Sequence, residues 1–261
     1  MRVHRRRGVG TRPTTVLVVD LAVTEAGEGE ALVVFVHGVL DSGRSFSRVV
    51  DLLASQCRMR WYDRRGYGTS TNATGAPVDV NGHIEDLVAV LDGRRAVVVG
   101  HSFGGVIAAG AAVRAPESVA AVVLYETVMA WVPGWDDRRM RQMLWSEDPE
   151  DAGMRLMLGA KYDAMSAEAR LRLRPQARAF VTEERSARAP TPPYDIAALE
   201  IPVVYGFSES FPVVVMQQHL SAVVRDVELV TFPGDHFAHR TAPAEFAGLV
   251  RLAVRCASGK A

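Results

Sequence analysis

Residues 96–105 read Ala-Val-Val-Val-Gly-His-Ser-Phe-Gly-Gly. Three consecutive valines are the kind of short apolar run that forms a strand buried on both faces. The run stops at Gly100-His101-Ser102-Phe103-Gly104, and the Gly-Gly-Val-Ile-Ala-Ala that begins at Gly104 has the small side chains of a tightly packed helix. A G-x-S-x-G pattern between strand and helix puts the serine on a sharp turn, where its hydroxyl stands clear as a nucleophile. Glycines on either side let strand and helix approach without Cβ clashes, and strained backbone is expected at Ser102. The bare pattern turns up by chance; the valine strand before it and the small-residue helix after it make it specific.

Working outward, residues 15–24 alternate loosely and predict a first strand, with Ala26-Gly27-Glu28-Gly29 as the turn after it. Ala31–Val36 is a continuous apolar run ending in His37-Gly38, a second buried strand. Residues 45–55 carry Phe46, Val49, Val50 and Leu53 at helical spacing after Asp41-Ser42-Gly43. A short strand over 59–62 runs into Asp63-Arg64-Arg65-Gly66-Tyr67-Gly68-Thr69-Ser70, and residues 78–91 form an amphipathic helix with Ile84, Leu87, Val88 and Leu91 on one face. Beyond the serine turn, strands are predicted at Val119–Tyr125, 201–205 and Val227–Phe232, with a closing helix over 244–256. Strands alternating with helices predict an α/β fold with a mostly parallel sheet covered on both faces. The strand pattern lapses from about Trp131 to Pro193, where the sequence is helical and rich in arginine, methionine and tryptophan. The expected organisation is one core, residues 1–130 and 199–261, interrupted by a helical cap over 131–198.

The composition narrows the chemistry. With 30 acidic and 30 basic residues in 261, no net field argues for a nucleic-acid or membrane partner. Lys161 and Lys260 are the only lysines, an arginine bias that reads as genomic composition. Cys57 and Cys256 form no zinc or C-x-x-C pattern and read as reduced thiols of a cytoplasmic protein. The Arg2, Arg5, Arg6, Arg7 cluster is followed by an apolar stretch that Asp20 and Glu25 interrupt, so it reads as a basic tail rather than a signal peptide. There is no G-x-x-x-x-G-K-[ST] and no H-E-x-x-H, and neither cofactor nor metal is expected.

A serine hydroxyl needs a base to take its proton. Among seven histidines, His236 stands in Phe232-Pro233-Gly234-Asp235-His236-Phe237, directly after the last strand and so at the carboxyl edge of the sheet, where open parallel sheets bind ligands. His239 is less well placed, and His37 and His101 read as residues that orient loops. The oxyanion of a tetrahedral intermediate needs N–H donors held in place beforehand. Phe103 N–H, at a helix N-terminus just after the serine, supplies one. The His37-Gly38-Val39 loop supplies the other, with Val39 N–H as the donor.

With these pieces in order, the chain resembles the α/β-hydrolase superfamily from about residue 16 to 256. The matching parts are His37-Gly38 after a strand, the stretch from Asp63 to Ser70, the turn at Ser102, and Gly234-Asp235-His236. The resemblance implies an eight-stranded core sheet with the cap over the active site. It also implies a carboxylate that orients the histidine, for which two glutamates qualify. Glu209 lies in the loop after strand 201–205, the usual placement, where an aspartate is commoner. Glu126 closes the strand beside the serine's own, a placement used in some haloalkane dehalogenases. A carboxylate ending an apolar strand is costly unless partnered, and a histidine turning cationic is such a partner, which favours Glu126. Asp235 adjoins His236 too closely to reach its Nδ1.

A serine nucleophile excludes the alkyl-ester chemistry of haloalkane dehalogenases and epoxide hydrolases, which needs a carboxylate. The expectation is a cofactor-independent serine hydrolase acting on an ester, thioester or lactone. Carbon–carbon bond hydrolysis, acyl transfer and ligand binding without turnover remain alternatives. Met129, Met140, Met143, Met154, Met157 and Met165, with Trp131, Trp135 and Trp145, suggest an adaptable apolar site for an acyl or ring group, and Trp131 and Gly38 are candidate substrate contacts. Arg64 and Arg65 read as structural ion pairs, with Asp63 the nearest candidate partner. Oligomeric state is open.

Overall fold

The computed structural model describes residues 13–18, 20–211 and 213–259; the N-terminal arginine cluster, His4 and Lys260 lie outside them. Eight strands are present among the described residues: β1 (Thr14–Val18), β2 (Leu21–Ala26), β3 (Ala31–Val36), β4 (Cys57–Tyr62), β5 (Ala96–His101), β6 (Val119–Tyr125), β7 (Val203–Ser208) and β8 (Val227–Phe232). They form one sheet in the order β1-β2-β4-β3-β5-β6-β7-β8. β2 is antiparallel to β1 and β4, and every other pairing is parallel. The single strand expected over 15–24 is a hairpin instead. Asp20 adopts the left-handed conformation (φ 64°), which short polar residues tolerate at turns, and the chain reverses there.

Helices α1 (Ser47–Leu53), α2 (Val80–Leu91) and α3 (Phe103–Arg114) follow β3, β4 and β5 in turn. Between β6 and β7 come α4 (Arg138–Leu144), α5 (Pro149–Leu158), α6 (Ala160–Asp163) and α7 (Ala167–Ser186). Then α8 (Val214–Val223) follows β7, and α9 (Ala238–Thr241) and α10 (Pro243–Ala257) follow β8. Helix α8 escaped the sequence reading because its valines favour strand; Met216 and Leu220, one helical turn apart, are its buried anchors.

The continuous apolar strands are explained by burial on both faces. In β3, Leu32, Val34 and Val36 belong to the apolar layer that also holds residues of α2, α3 and α8, while Val33 and Phe35 belong to the layer on the other face with residues of α1 and α10. The insertion has a small core of its own, built from Met143, Leu144, Met154, Tyr162, Ala177, Phe180 and Val181. Among the described residues no helix is long and apolar enough to cross a membrane.

Strand β3 changes neighbours from β4 on one side to β5 on the other, and ligands gather at the carboxyl end of such a switch. Here α3 starts almost in contact with the end of β3. A Cβ on Gly104 would fall 2.2 Å from Val36 O and 2.7 Å from His37 O, both backbone atoms that cannot swing aside. Gly104→Ala is therefore expected to lower the melting temperature by about 5 °C or more in a circular dichroism melt; an unchanged melt would mean that α3 can slide away from β3.

Candidate active site

Strand β5 delivers Ser102 onto the turn with φ 53° and ψ −123°, outside the regions a serine normally occupies. The turn is held from both sides: Ser102 N–H donates to Tyr125 O at 2.8 Å, and Ser102 O accepts from Gly105 N–H at 2.9 Å. A Cβ on Gly100 would lie 2.4 Å from the Gly105 Cα, so the strand and helix ends need both glycines.

Ser102, Glu126 and His236 line one cavity of about 710 Å³. His236 Nδ1–H donates to Glu126 Oε2 at 2.7 Å. Glu126 is wholly buried and sits at φ 45° just beyond β6, where its N–H donates to Gly206 O at 2.9 Å. Its other oxygen, Oε1, accepts from Ser208 N–H at 2.9 Å and from the Ser208 hydroxyl. Burial pushes the Glu126 pKa up, but the hydrogen bonds from His236 and Ser208 outweigh it and hold the carboxyl below its ordinary value. Glu126 is thus an ionised, fully partnered carboxylate. Glu209 is exposed and has no partner among the described residues. Asp235 serves the loop instead, its Oδ1 accepting from Phe237 N–H and Thr241 Oγ1–H at 2.8 Å. Ser102 Oγ has no hydrogen-bond partner among the described residues, so its contact with His236 is not made in this conformer; such bonds commonly tighten only around substrate.

Val39 and Phe103 line the same cavity, and neither N–H has an acceptor among the described residues. Both donors are therefore free for a ligand. Gly38 lies behind Val39, where a Cβ would come 3.1 Å from the Ser102 Cβ. His101 orients a loop, as expected: its Nε2–H donates to His236 O at 2.7 Å.

Three sequence expectations need correction. Trp131 does not line the cavity; it packs edge-on against Tyr194 at 5.3 Å, and Trp135 takes the place at the wall. Of the methionines, only Met140 and Met157 reach the cavity, while Met143 and Met154 fill the core of the insertion. Arg64 and Arg65 do form structural pairs, but not with Asp63. Arg65 forks onto Asp86 at 2.7 and 3.0 Å, and Arg64 pairs with Glu183 at 2.5 Å. Asp63 accepts instead from Gly43 N–H and Thr69 N–H, each at 2.8 Å.

Sequence reading also missed Ser208, the hydrogen-bond partner of Glu126. The parallel register that pairs Tyr125 with Gly206 brings the residues just beyond them together at the sheet's edge, and that register was the available clue. Among the described residues Asp41, His101 and His239 are the one group with metal-ligand spacing, their ligand atoms lying within 4.8 Å of one another. Asp41 Oδ2 lies 3.3 Å from His239 Nε2, and these two atoms, His239 Nδ1 and His101 Nδ1 are buried without a hydrogen-bond partner among the described residues.

The sequence profile of the alpha/beta hydrolase fold family matches residues 31–208, more than half of the chain. Lipase LipV of Mycobacterium tuberculosis (strain ATCC 25618 / H37Rv) is 35% identical over 132 residues, 49% of this chain and 48% of that protein. An epoxide hydrolase of Caballeronia sordidicola is 37% identical over 109 residues, 40% of this chain and 33% of that one. The chain thus spans about half or less of the length of these curated relatives. Among solved structures, a thermophilic esterase from Thermogutta terrifontis superposes with a TM-score of 0.70 at 15% identity, over 95% of this chain and 99% of that one, a likeness of fold alone. With its sheet order, its strained serine turn and this profile match, the chain belongs to the α/β-hydrolase fold family.

Proposed function

We propose that the protein is a cofactor-independent serine hydrolase that cleaves a carboxylic ester, thioester or lactone of a small apolar substrate through an acyl-enzyme on Ser102. The observation that carries this reading is the 2.7 Å hydrogen bond from His236 Nδ1–H to the buried Glu126, in the cavity that Ser102 also lines. Donating Nδ1–H leaves Nε2 as the basic nitrogen. Ser102 Oγ attacks the substrate carbonyl while His236 Nε2 takes its proton, and Glu126 stabilises the imidazolium that results. The N–H groups of Val39 and Phe103 receive the oxyanion. Collapse of the intermediate expels the alcohol or thiol, protonated by His236, and water activated by the same histidine releases the acid.

The cavity wall supports an apolar acyl group: Val128, Trp135, Met140, Leu156, Phe180 and Phe211 face it. The likeness to LipV agrees with ester chemistry. The likeness to epoxide hydrolases does not carry their reaction over, because an alkyl-enzyme ester needs a carboxylate where this chain has Ser102. The test is covalent. A fluorophosphonate probe is expected to label the protein once, with the adduct on the Ser102 peptide by mass spectrometry. An unlabelled protein, or an adduct elsewhere, would overturn the assignment.

A further inference from the structure

The Gly38–Val39 peptide is gripped by its carbonyl. Arg64 Nη2–H donates to Gly38 O at 3.0 Å, and His37 Nδ1–H donates to the same oxygen at 2.7 Å. Arg64 Nε–H donates to His37 O, and Arg64 N–H to His37 Nε2, each at 2.9 Å. The peptide is trans, so its C=O and N–H point in opposite directions. Fixing Gly38 O on the buried guanidinium therefore turns Val39 N–H the other way, toward the cavity that Val39 lines. Donors on the carbonyl also polarise the peptide and strengthen its N–H.

Arg64 is in turn fixed by Glu183, whose Oε1 lies 2.5 Å from Nη1 and whose Oε2 lies 3.4 Å from Nη2. Tyr67 Oη–H donates to Oε2 at 2.8 Å, and His83 Nε2 is 2.7 Å from Oε1. All four side chains are buried. Burial raises the Glu183 pKa, but Arg64 and His83 outweigh it and bring it down to about 2, so the carboxylate is ionised at neutral pH. Arg64 and Tyr67 belong to the core, whereas Glu183 belongs to α7 of the insertion, three residues after Phe180 and one before Glu184, both of which line the cavity. A buried ion pair is weak evidence of stabilisation, since well-packed apolar residues often do as well. Its place beside the oxyanion loop points to another use.

We propose that Glu183 is a positioning residue for the reaction: from the insertion it anchors the Arg64 guanidinium that holds the Gly38–Val39 peptide with its N–H toward the developing oxyanion. The proposal rests on the Ser102 acyl-enzyme reading. It makes the oxyanion site complete only when α7 is seated on the core.

Two variants test it, Glu183→Gln and the double variant Arg64→Met with Glu183→Leu, the second removing both charges so that neither is stranded. On p-nitrophenyl butyrate, kcat is expected to fall about 10- to 100-fold in each, with KM within about threefold of wild type. The rate of fluorophosphonate labelling and the affinity for a phenylboronic acid, which forms a tetrahedral adduct on the serine, should fall by a similar factor. The double variant leaves the buried Tyr67 hydroxyl and His37 O without these partners, so it should melt below wild type yet still fold cooperatively, and kcat is read on folded protein. A folded variant with kcat and boronate affinity within twofold of wild type would overturn the proposal. So would a double variant that cannot fold, which would assign the pair to stability. The outcomes separate cleanly: wild type that takes no label at Ser102 defeats the acyl-enzyme reading, whereas wild type that labels there, with variants labelling equally fast, defeats only the role of Glu183.

Discussion

Ser102→Ala is expected to lower turnover of p-nitrophenyl esters by about four orders of magnitude or more. The size of the effect follows from what else the cavity offers. Among the described residues that line it, Ser102 is the only one with a hydroxyl or thiol. Asp136 is paired with Arg138, Asp137 with Arg141 and Arg188, and Glu184 with Arg188, so none is a free nucleophile. What survives in the variant is water activated by His236, facing the oxyanion donors, a much slower route. The fold should not suffer. Ser102 Oγ has no partner among the described residues, so its removal strands no buried donor or acceptor, and alanine tolerates the turn no worse than serine does. The expected melting temperature is that of wild type or slightly above. Steady-state kinetics with a parallel thermal melt give the answer: a folded variant that keeps a tenth of the wild-type rate would remove Ser102 from the chemistry.

The fold was legible where local pattern and tertiary outcome coincide. Runs such as Ala31–Val36 and Val119–Tyr125 are strands buried on both faces, and their apolarity is continuous because helices cover both sides. Legibility failed where a single backbone dihedral decides. Asp20 at positive φ divides one apparent strand into two, and nothing in a loosely alternating decapeptide marks the reversal. It failed also in α8, where three valines in a row outweigh the anchors Met216 and Leu220.

At the candidate site, positions set by short-range motifs were readable, whereas most partnerships between distant positions were not. Ser102, Phe103 and Val39 follow from their own neighbourhoods, since a glycine-flanked turn and a strand end carry their geometry with them. Partnerships such as Arg64 with Glu183 join positions 119 residues apart, and sequence shows only that each is charged. Sequence offered Asp63 as the structural partner of Arg64; the fold buries Arg64 against Glu183 and the His37 and Gly38 carbonyls instead. The physical cost of an unpartnered carboxylate at the end of an apolar strand was, by contrast, visible in advance at Glu126.

That cost sets up the sharpest comparison of variants. Glu126→Gln is expected to lower kcat by about 10³- to 10⁴-fold, while Glu209→Gln stays within about twofold of wild type. Glutamine keeps the shape of glutamate but has one oxygen and one NH2 where the carboxylate has two acceptors. Ser208 presents its N–H and its hydroxyl to Oε1, so the amide oxygen must face Ser208. The NH2 is then turned on His236 Nδ1, which can satisfy it only as an acceptor. That tautomer carries its proton on Nε2, the nitrogen that has to take the proton from Ser102, and the imidazolium also loses its counter-charge. Because every polar atom still finds a partner, the variant should fold with nearly wild-type stability, and the loss is confined to kcat. Glu209 is exposed and contacts no partner among the described residues, so its charge has nothing to orient. Kinetics of the two purified variants decide between them. A Glu126→Gln enzyme within tenfold of wild type beside a crippled Glu209→Gln enzyme would transfer the orienting role to Glu209, and the loop after β7 would then have to close onto His236 when substrate binds.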